Sequence, residues 1–224
     1  MRETPPTKDR LVLLACPYEI VADGPATVEP RKLLAMAKAY DLLGYDAGLV
    51  TPTEAEALKK AGTALPPAFA VSAATPSVTT IRAGGHSIGI VRFPIEPKPG
   101  EPIPEDLATA TAQAAETLHG RVELVVGLSG WGMADEEMFL GTHPGAVDVL
   151  LGSGPGAGLA GVTAGAGKTL WARSYTKGKT LNRLDLFTLP GTADFVWKPK
   201  ADYKPDVVLL DDRIPSDPQV QQLF

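Results

Sequence analysis

The sequence predicts an α/β sandwich, mainly because of the order of its hydrophobic patterns. Over the first two thirds of the 224 residues, segments with helical periodicity alternate with short apolar runs that are typical of buried strands. The last third consists mostly of strand-like segments. Because alternating helices and strands usually pack as helices on the faces of a sheet, this order favours a sandwich over a barrel or a bundle. We expect one domain over residues 1–224.

The first predicted elements are a strand, a helix and a second strand. The apolar run RLVLLAC, residues 10–16, is typical of a buried strand, and DAGLV, residues 46–50, predicts a short one. Between them, helical spacing in residues 29–44 places four apolar side chains on one face: Leu33, Ala37, Tyr40 and Leu43. Gly44 is well suited to end that helix.

The second helix, expected over residues 51–62, carries its own start signal. Thr51 is a typical N-cap, Pro52 suits the first helical position, and Glu54 stands three residues after the cap. This spacing predicts a capping box, in which the Thr and Glu side chains accept hydrogen bonds from otherwise unpaired backbone N–H groups. We therefore interpret Glu54 as a structural residue rather than a metal ligand.

The following elements are assigned on the same grounds. A hairpin is predicted over residues 77–94, with its turn at Ala83 to His86. After it we expect a helix over 104–120, a strand over 122–129, a short acidic helix around Asp135 to Leu140, and strands at 147–152, 169–173, 181–187, 193–198 and 206–210. The acidic residues Asp135-Glu136-Glu137 favour the positive end of the helix dipole, and we interpret them as a solvated face, with a weak Ca²⁺ or Mg²⁺ site as the alternative.

The composition excludes several classes of function. The formal charge of −5 and the lack of a basic run argue against nucleic acid as a partner. The apolar stretch from Leu11 to Cys16 is too short for a membrane span or a secretory signal. We therefore expect a cytoplasmic protein, or a periplasmic one if an export signal has been removed. A single cysteine excludes an internal disulfide framework and a zinc ribbon.

The glycine-rich stretch at residues 150–170 is the first candidate for a phosphate-binding loop. A Walker A loop ending at Gly167-Lys168-Thr169 requires glycine at position 162, where the chain has valine. Glycines 156, 158 and 161 match the letters of a dinucleotide fingerprint, which requires a following helix whose N-terminus faces the pyrophosphate. The residues after them lack the apolar stripe of a helix and predict a turn leading into a strand. We interpret the stretch as a flexible loop between strands.

Several segments, in order, resemble one known family. They are LLGYDAGLVTPTEAEAL, GGHSIGIVRF, VELVVGLSGWG, GAVDVLLGSGPG, GKTLWARSYTKGKTLNRLDLFT and VVLLDDRIPSDPQVQQLF. Together they resemble the 5'-nucleotidase/UDP-sugar hydrolase family of metallophosphoesterases over most of residues 30–224. The resemblance implies a four-layer sandwich, with two mixed β-sheets packed face to face and helices outside.

The motifs that hold two divalent metals in that family are absent. Thr51-Pro52-Thr53-Glu54 stands at the GNH[DE] position, and Gly130, between Ser129 and Trp131, stands at the lone histidine. The run from Gly152 to Gly156 stands at the GHxH position, with Gly154 and Pro155-Gly156 where the histidine pair would fall. Glycine offers no side-chain ligand, and hydroxyl groups are poor ligands for Zn or Mn. We therefore predict neither a metal site, nor a catalytic residue, nor a cofactor.

The first strand is ambiguous in this resemblance. LVLLACPYEI stands either at the D-x-H strand or at a later strand, in which case the first β unit is missing. Trp131 either closes the vacated cleft or lines a pocket for a sugar or base. The candidate residues of that cleft are Cys16, Glu19, Thr51, Thr53, Glu54, Ser129, Gly130, Trp131, Gly152, Ser153, Gly154 and Gly156.

Three functions are compatible with these residues. The favoured hypothesis is a pseudoenzyme that binds a small ligand or a protein through the cleft. The alternatives are a phosphoesterase with an unconventional or partner-completed site, and a thiol redox module that uses Cys16. The three histidines, His86, His119 and His143, match no family ligand, and we interpret them as solvent-facing loop residues.

Overall fold

The computed structural model describes residues 11–20, 29–98, 100–174, 180–192, 194–211 and 213–224. The helices within these ranges are α1 (Pro30–Leu43), α2 (Pro52–Lys60), α3 (Glu105–Glu116), α4 (Met133–Thr142) and α5 (Pro218–Gln221). The strands are β1 (Leu14–Ala15), β2 (Ala47–Val50), β3 (Phe69–Val71), β4 (Ser77–Ala83), β5 (His86–Arg92), β6 (Leu124–Ser129), β7 (Val149–Gly152), β8 (Leu159–Ala164), β9 (Thr169–Arg173), β10 (Thr180–Leu186) and β11 (Tyr203–Leu209).

The described strands form three sheets. The largest has six strands in the order β4-β5-β6-β7-β9-β8, with β5, β6, β7 and β9 parallel and the two edge strands antiparallel to their neighbours. A parallel sheet has the order β1-β2-β3, and β10 pairs with β11 in an antiparallel ribbon. Parallel neighbours place their carboxyl ends at one edge, where sites in α/β proteins usually form.

Three clusters of buried side chains show how the layers are stacked. One joins a face of the six-stranded sheet, including Leu128, to Leu49 of the small parallel sheet and to Tyr203 of the ribbon. The second joins the opposite face to α3 and α4, and the third joins the small parallel sheet to α1 and α2. The order is thus helices, small sheets, large sheet, helices. The α/β sandwich with sheets flanked by helices is confirmed.

Local sequence signals are confirmed where they involve neighbouring residues. Thr51 Oγ1 accepts a hydrogen bond from Glu54 N at 3.1 Å, and Glu54 Oε2 accepts one from Thr51 N at 2.8 Å, which completes the capping box. Gly44 ends α1 with φ of 65°. The hairpin pairs Ala83 with His86 across two glycines with positive φ, as a tight two-residue hairpin turn requires.

Three expectations about the elements are wrong. Leu43 is half exposed, because the buried face of α1 consists of Ala35 together with the predicted Leu33 and Ala37. Residues 194–198 are not a strand; they place Trp197 in the core, where its Nε1 donates to Asp148 O at 3.1 Å.

The third correction concerns the glycine-rich stretch, which contains the edge strand β8 rather than only a loop. This strand is irregular between Leu159 and Val162. Gly161 lies there with φ of 141°, and a Cβ on it would lie 2.7 Å from Leu184 Cδ2 of β10. The missing side chain thus allows the ribbon to approach the large sheet closely.

The described helices have between 4 and 14 residues, whereas a membrane-spanning helix needs about 20. None of those in the part of the chain that the structure describes combines the necessary length with a sufficiently apolar sequence.

Candidate functional site

Four segments meet at the carboxyl ends of the parallel strands. They are residues 16–20 after β1, Thr51 after β2, residues 129–132 at the end of β6 and residues 152–157 at the end of β7. Gly132 N donates to Ser153 O at 3.1 Å, and a Cβ on Gly130 would lie 3.0 Å from Pro17 Cγ. A cleft of about 20 Å³ remains between the segments, lined by Pro17, Tyr18, Thr51, Ser72, Pro94, Ile95, Glu96, Gly130 and Trp131. This volume holds about one water molecule.

The loop after β7 is organised around the guanidinium group of Arg173, the last residue of β9. Arg173 is 1% exposed. Its Nη2 donates to the carbonyl oxygens of Ser153, Gly154 and Pro155 at 3.0, 3.1 and 3.0 Å, and its Nε donates to Ala157 O at 3.1 Å. The loop that the resemblance assigns to two metal-binding histidines therefore directs its carbonyl groups at a cation that belongs to the chain itself.

Glu136 completes this arrangement, and its predicted place on a solvated face is wrong. The residue is 0% exposed, and its Oε2 accepts hydrogen bonds from Arg173 Nη1 and from Trp171 Nε1. Burial raises the pKa of the Glu136 carboxyl above its ordinary value. The charge of Arg173 and hydrogen bonds from Arg173, Trp171 and the Ser129 hydroxyl act in the opposite direction and lower this pKa. Glu136 Oε1 has no hydrogen-bond partner among the described residues. The charge of Glu136 therefore depends on Arg173 for compensation in the low-dielectric interior.

The glycines of this loop leave no room for side chains. A Cβ on Gly152 would collide with the Glu136 carboxylate, and one on Gly156 would collide with Met133 Cβ. A Cβ on Gly154 would lie 2.7 Å from Gly130 O. Gly154 and Gly156 also have φ of +78° and +120°, which side chains rarely adopt. Each glycine is thus required by a close approach.

The loops after β6 and β7 are joined by their serines, and Trp131 closes the inner side of the cleft. Ser153 Oγ donates to Ser129 O at 2.9 Å, and Ser129 Oγ accepts from Trp131 N at 3.1 Å. The Trp131 side chain is 3% exposed, and its Nε1 donates to Pro94 O at 2.7 Å. Its ring packs edge-on against Phe93. Such a buried indole has little surface left for a ligand.

Cys16 directly follows β1 and belongs to the core cluster between the sheets, with 5% exposure, and its Sγ donates to Leu151 O at 3.3 Å. Desolvation, followed by the negative charge of Glu19, raises the pKa of the thiol well above its ordinary value. Since the thiolate is the reactive form, this environment keeps Cys16 protonated and does not favour thiol chemistry.

Glu19 and Glu54 hold the segment after β1 in place. Glu54 Oε1 accepts from Ile20 N at 3.0 Å, whereas Glu19 accepts from Cys16 N at 3.4 Å and from the Tyr40 hydroxyl at 3.3 Å. Thr53 is exposed on α2 and does not line the cleft. The contact of Glu54 with Ile20 N, outside the capping box, was not predicted from the sequence.

Glu19 gives the first testable prediction. The residue reaches solvent, yet desolvation of its carboxyl group raises the pKa to about 7. A folded-state pKa above the ordinary value means that the folded protein binds the proton more tightly. The contribution of Glu19 to stability is therefore fully present below pH 4.5 and is lost as the pH rises through 7. We expect Glu19→Gln to weaken this loss of stability, measured by urea unfolding at several pH values.

The control for this prediction is Glu137→Gln, because Glu137 is exposed on α4. That substitution should leave the pH dependence of the wild type unchanged. An equal pH dependence in the wild type and the Glu19→Gln protein would contradict the assignment.

The histidines lie at the opposite edge of the sheet. His86 begins β5, and His119 and His143 precede β6 and β7, so all three are near the amino ends of strands. His86 is exposed, but His119 and His143 are half-buried, contrary to expectation: His119 Nε2 contacts Ala146 O, and His143 stacks on Phe139. Within the described residues, no group of three or more His, Cys, Asp or Glu side chains is arranged to hold a metal ion.

Among solved structures, two that are similar to this chain have low sequence identity to it. No protein-family model and no curated protein matches the chain. A hypothetical protein from Thermus thermophilus is 15% identical, over 65% of this chain and 71% of that chain, with a TM-score of 0.39. The NAD nucleotidase of Haemophilus influenzae is 13% identical, over 63% of this chain and 32% of that chain, with a TM-score of 0.47. This chain thus spans about a third of the nucleotidase, and no activity follows from similarities this distant.

Proposed function

We propose that this chain is a metallophosphoesterase-like domain that binds a small ligand or a protein at the cleft without metal-dependent hydrolysis. The observation that carries the proposal is the set of hydrogen bonds from Arg173 to the carbonyl groups of Ser153, Gly154 and Pro155. A pair of divalent metals needs carboxylate or imidazole ligands around two ions. A loop that directs three carbonyls at an arginine cannot supply them.

The close packing around the loop supports the same proposal. Gly130, Gly154 and Pro155-Gly156 are among the positions that the resemblance assigns to histidines, and a side chain at Gly154 or Gly156 would collide with its neighbours. The buried ion pair of Arg173 and Glu136 lies directly against Gly152. The chain therefore uses its own cation to shape a loop that, in the resembled family, surrounds metal ions.

We further infer a single domain over residues 1–224, since the four layers draw on segments from both halves of the chain. The cluster between the sheets combines Cys16 and Leu49 with Leu170 and Tyr203.

The proposal predicts a protein without stoichiometric metal or phosphatase turnover. We expect elemental analysis of the purified chain to find Mn and Zn well below one ion per chain. Hydrolysis of p-nitrophenyl phosphate should stay at the blank rate when Mn²⁺ or Zn²⁺ is added, while an active metallophosphoesterase measured in parallel serves as the positive control. Stoichiometric metal together with turnover would overturn the proposal.

A further inference from the structure

Tyr18 has a backbone conformation that a bulky side chain rarely adopts. Its φ is +70°, and among the described residues only two other non-glycine residues, Ala166 and Lys200, have positive φ. Such conformations are strained, and they persist where the surrounding structure holds them. Two residues after Tyr18, Ile20 N donates to Glu54 Oε1 at 3.0 Å, which anchors the segment to α2. Tyr18 also lines the cleft, so the strained backbone is part of the cleft wall.

The ring of Tyr18 lies over two of the glycine positions in the cleft. Cβ atoms on Gly130 and Gly154 would lie 3.5 and 3.3 Å from Tyr18 Cε2. The two glycines thus form a floor without side chains, on which the edge of an aromatic ring rests. Thr51, Ser72 and Glu96 line the remaining space. The Thr51 hydroxyl accepts from Glu54 N and the Ser72 hydroxyl donates to Phe93 O, which fixes both groups at the wall of the cleft.

We propose that this floor is a binding slot for a planar aromatic ring and that Tyr18 is its internal occupant. The inference rests on the proposed function and names the ligand class of the same cleft. A ligand that carries an aromatic ring and a polar substituent displaces Tyr18, whose side chain then turns to solvent. Once the side chain has left the slot, the backbone of Tyr18 no longer has to keep its positive φ. Relief of that strain favours the open state, so a ligand that binds only the open state shifts the population toward it.

The slot is tested with p-cresol, which has the shape of a tyrosine side chain. In the Tyr18→Gly protein the slot is empty, and glycine adopts the positive φ without strain. We expect saturable binding of p-cresol, with NMR shift changes concentrated at the amides of Gly130 and Gly154. The wild type should show the same shift changes at concentrations at least about tenfold higher, because Tyr18 competes for the slot.

Lys200→Gly is the matched control, because it removes a similar positive-φ strain at an exposed position. It should bind p-cresol as weakly as the wild type. If Tyr18→Gly is poorly folded, Tyr18→Asn replaces it, since asparagine tolerates the left-handed conformation. Equal binding by all variants, no saturable binding by a folded Tyr18 variant, or shift changes away from Gly130 and Gly154 would each overturn the slot. Those outcomes leave the proposed function intact, whereas metal-dependent turnover would overturn the function whatever p-cresol does.

Discussion

Replacing Arg173 with methionine is expected to lower the free energy of unfolding by about 3–5 kcal/mol, the usual cost of removing one partner from a buried ion pair. The substitution leaves the Glu136 carboxylate buried beside Trp171 without its cation. It also removes the donors for the carbonyls of Ser153, Gly154 and Pro155. Methionine has a similar length and is apolar. The loss of stability therefore comes more from the missing charge and hydrogen bonds than from a change in side-chain volume. Urea unfolding monitored by tryptophan fluorescence measures it.

The control for this prediction is Arg183→Met on β10. Arg183 pairs with Asp185, but its side chain is 38% exposed, so we expect a loss below about 1 kcal/mol. The double variant Glu136→Gln with Arg173→Met should lose less than the sum of the single losses, because the unpaired charge is then absent. Equal losses for Arg173→Met and Arg183→Met would contradict a central role for the buried pair.

Features specified by neighbouring residues could be predicted from the sequence. The capping box of α2 depends on Thr51 and Glu54, and the hairpin turn on two adjacent glycines between Ala83 and His86. Their geometry follows from backbone chemistry over three or four positions, so it does not depend on the rest of the fold. The α/β class was also predictable, because the periodicity of each segment reports which face is buried.

Features specified by distant contacts were missed. Glu136 stands between Asp135 and Glu137 at the start of a helix, where acidic residues are normally solvated. Its partner Arg173 is 37 residues away, and only the packing of α4 against β9 brings them together. One signal was available: Arg173 ends the apolar strand TLWAR, and a cation in a buried strand requires a buried anion nearby.

The candidate site was predictable in position but not in content. Strand order placed Thr51, Gly130 and Gly154 at neighbouring strand ends, as the resemblance implied. The space between these residues is filled by the segment after β1. In that segment the sequence analysis selected Cys16 and Glu19 as candidates. Tyr18 was missed because nothing in the sequence indicates a positive φ for a tyrosine.

Adding a single methyl group to Gly154 is expected to destabilise the protein by about 2–5 kcal/mol, combining backbone strain with steric overlap. The Cβ of Gly154→Ala would lie 2.7 Å from the carbonyl oxygen of Gly130, and backbone cannot move aside as a flexible side chain can. Histidine has the same Cβ, so Gly154→His should be destabilised at least as much. It should not restore Mn²⁺ or Zn²⁺ binding, which titration calorimetry measures on the folded fraction.

Gly44→Ala separates the two contributions. Gly44 has φ of +65°, and a Cβ there meets nothing within 4 Å, so only the backbone strain of about 1–2 kcal/mol applies. The excess loss in Gly154→Ala over Gly44→Ala therefore measures how tightly the loops after β6 and β7 are packed. If the two variants lose the same stability, the loop has room for a side chain. If Gly154→His then also binds a divalent metal, restoring ligands is enough to make the cleft a metal site. The loop arranged around Arg173 would then not be the reason why the wild type lacks such a site.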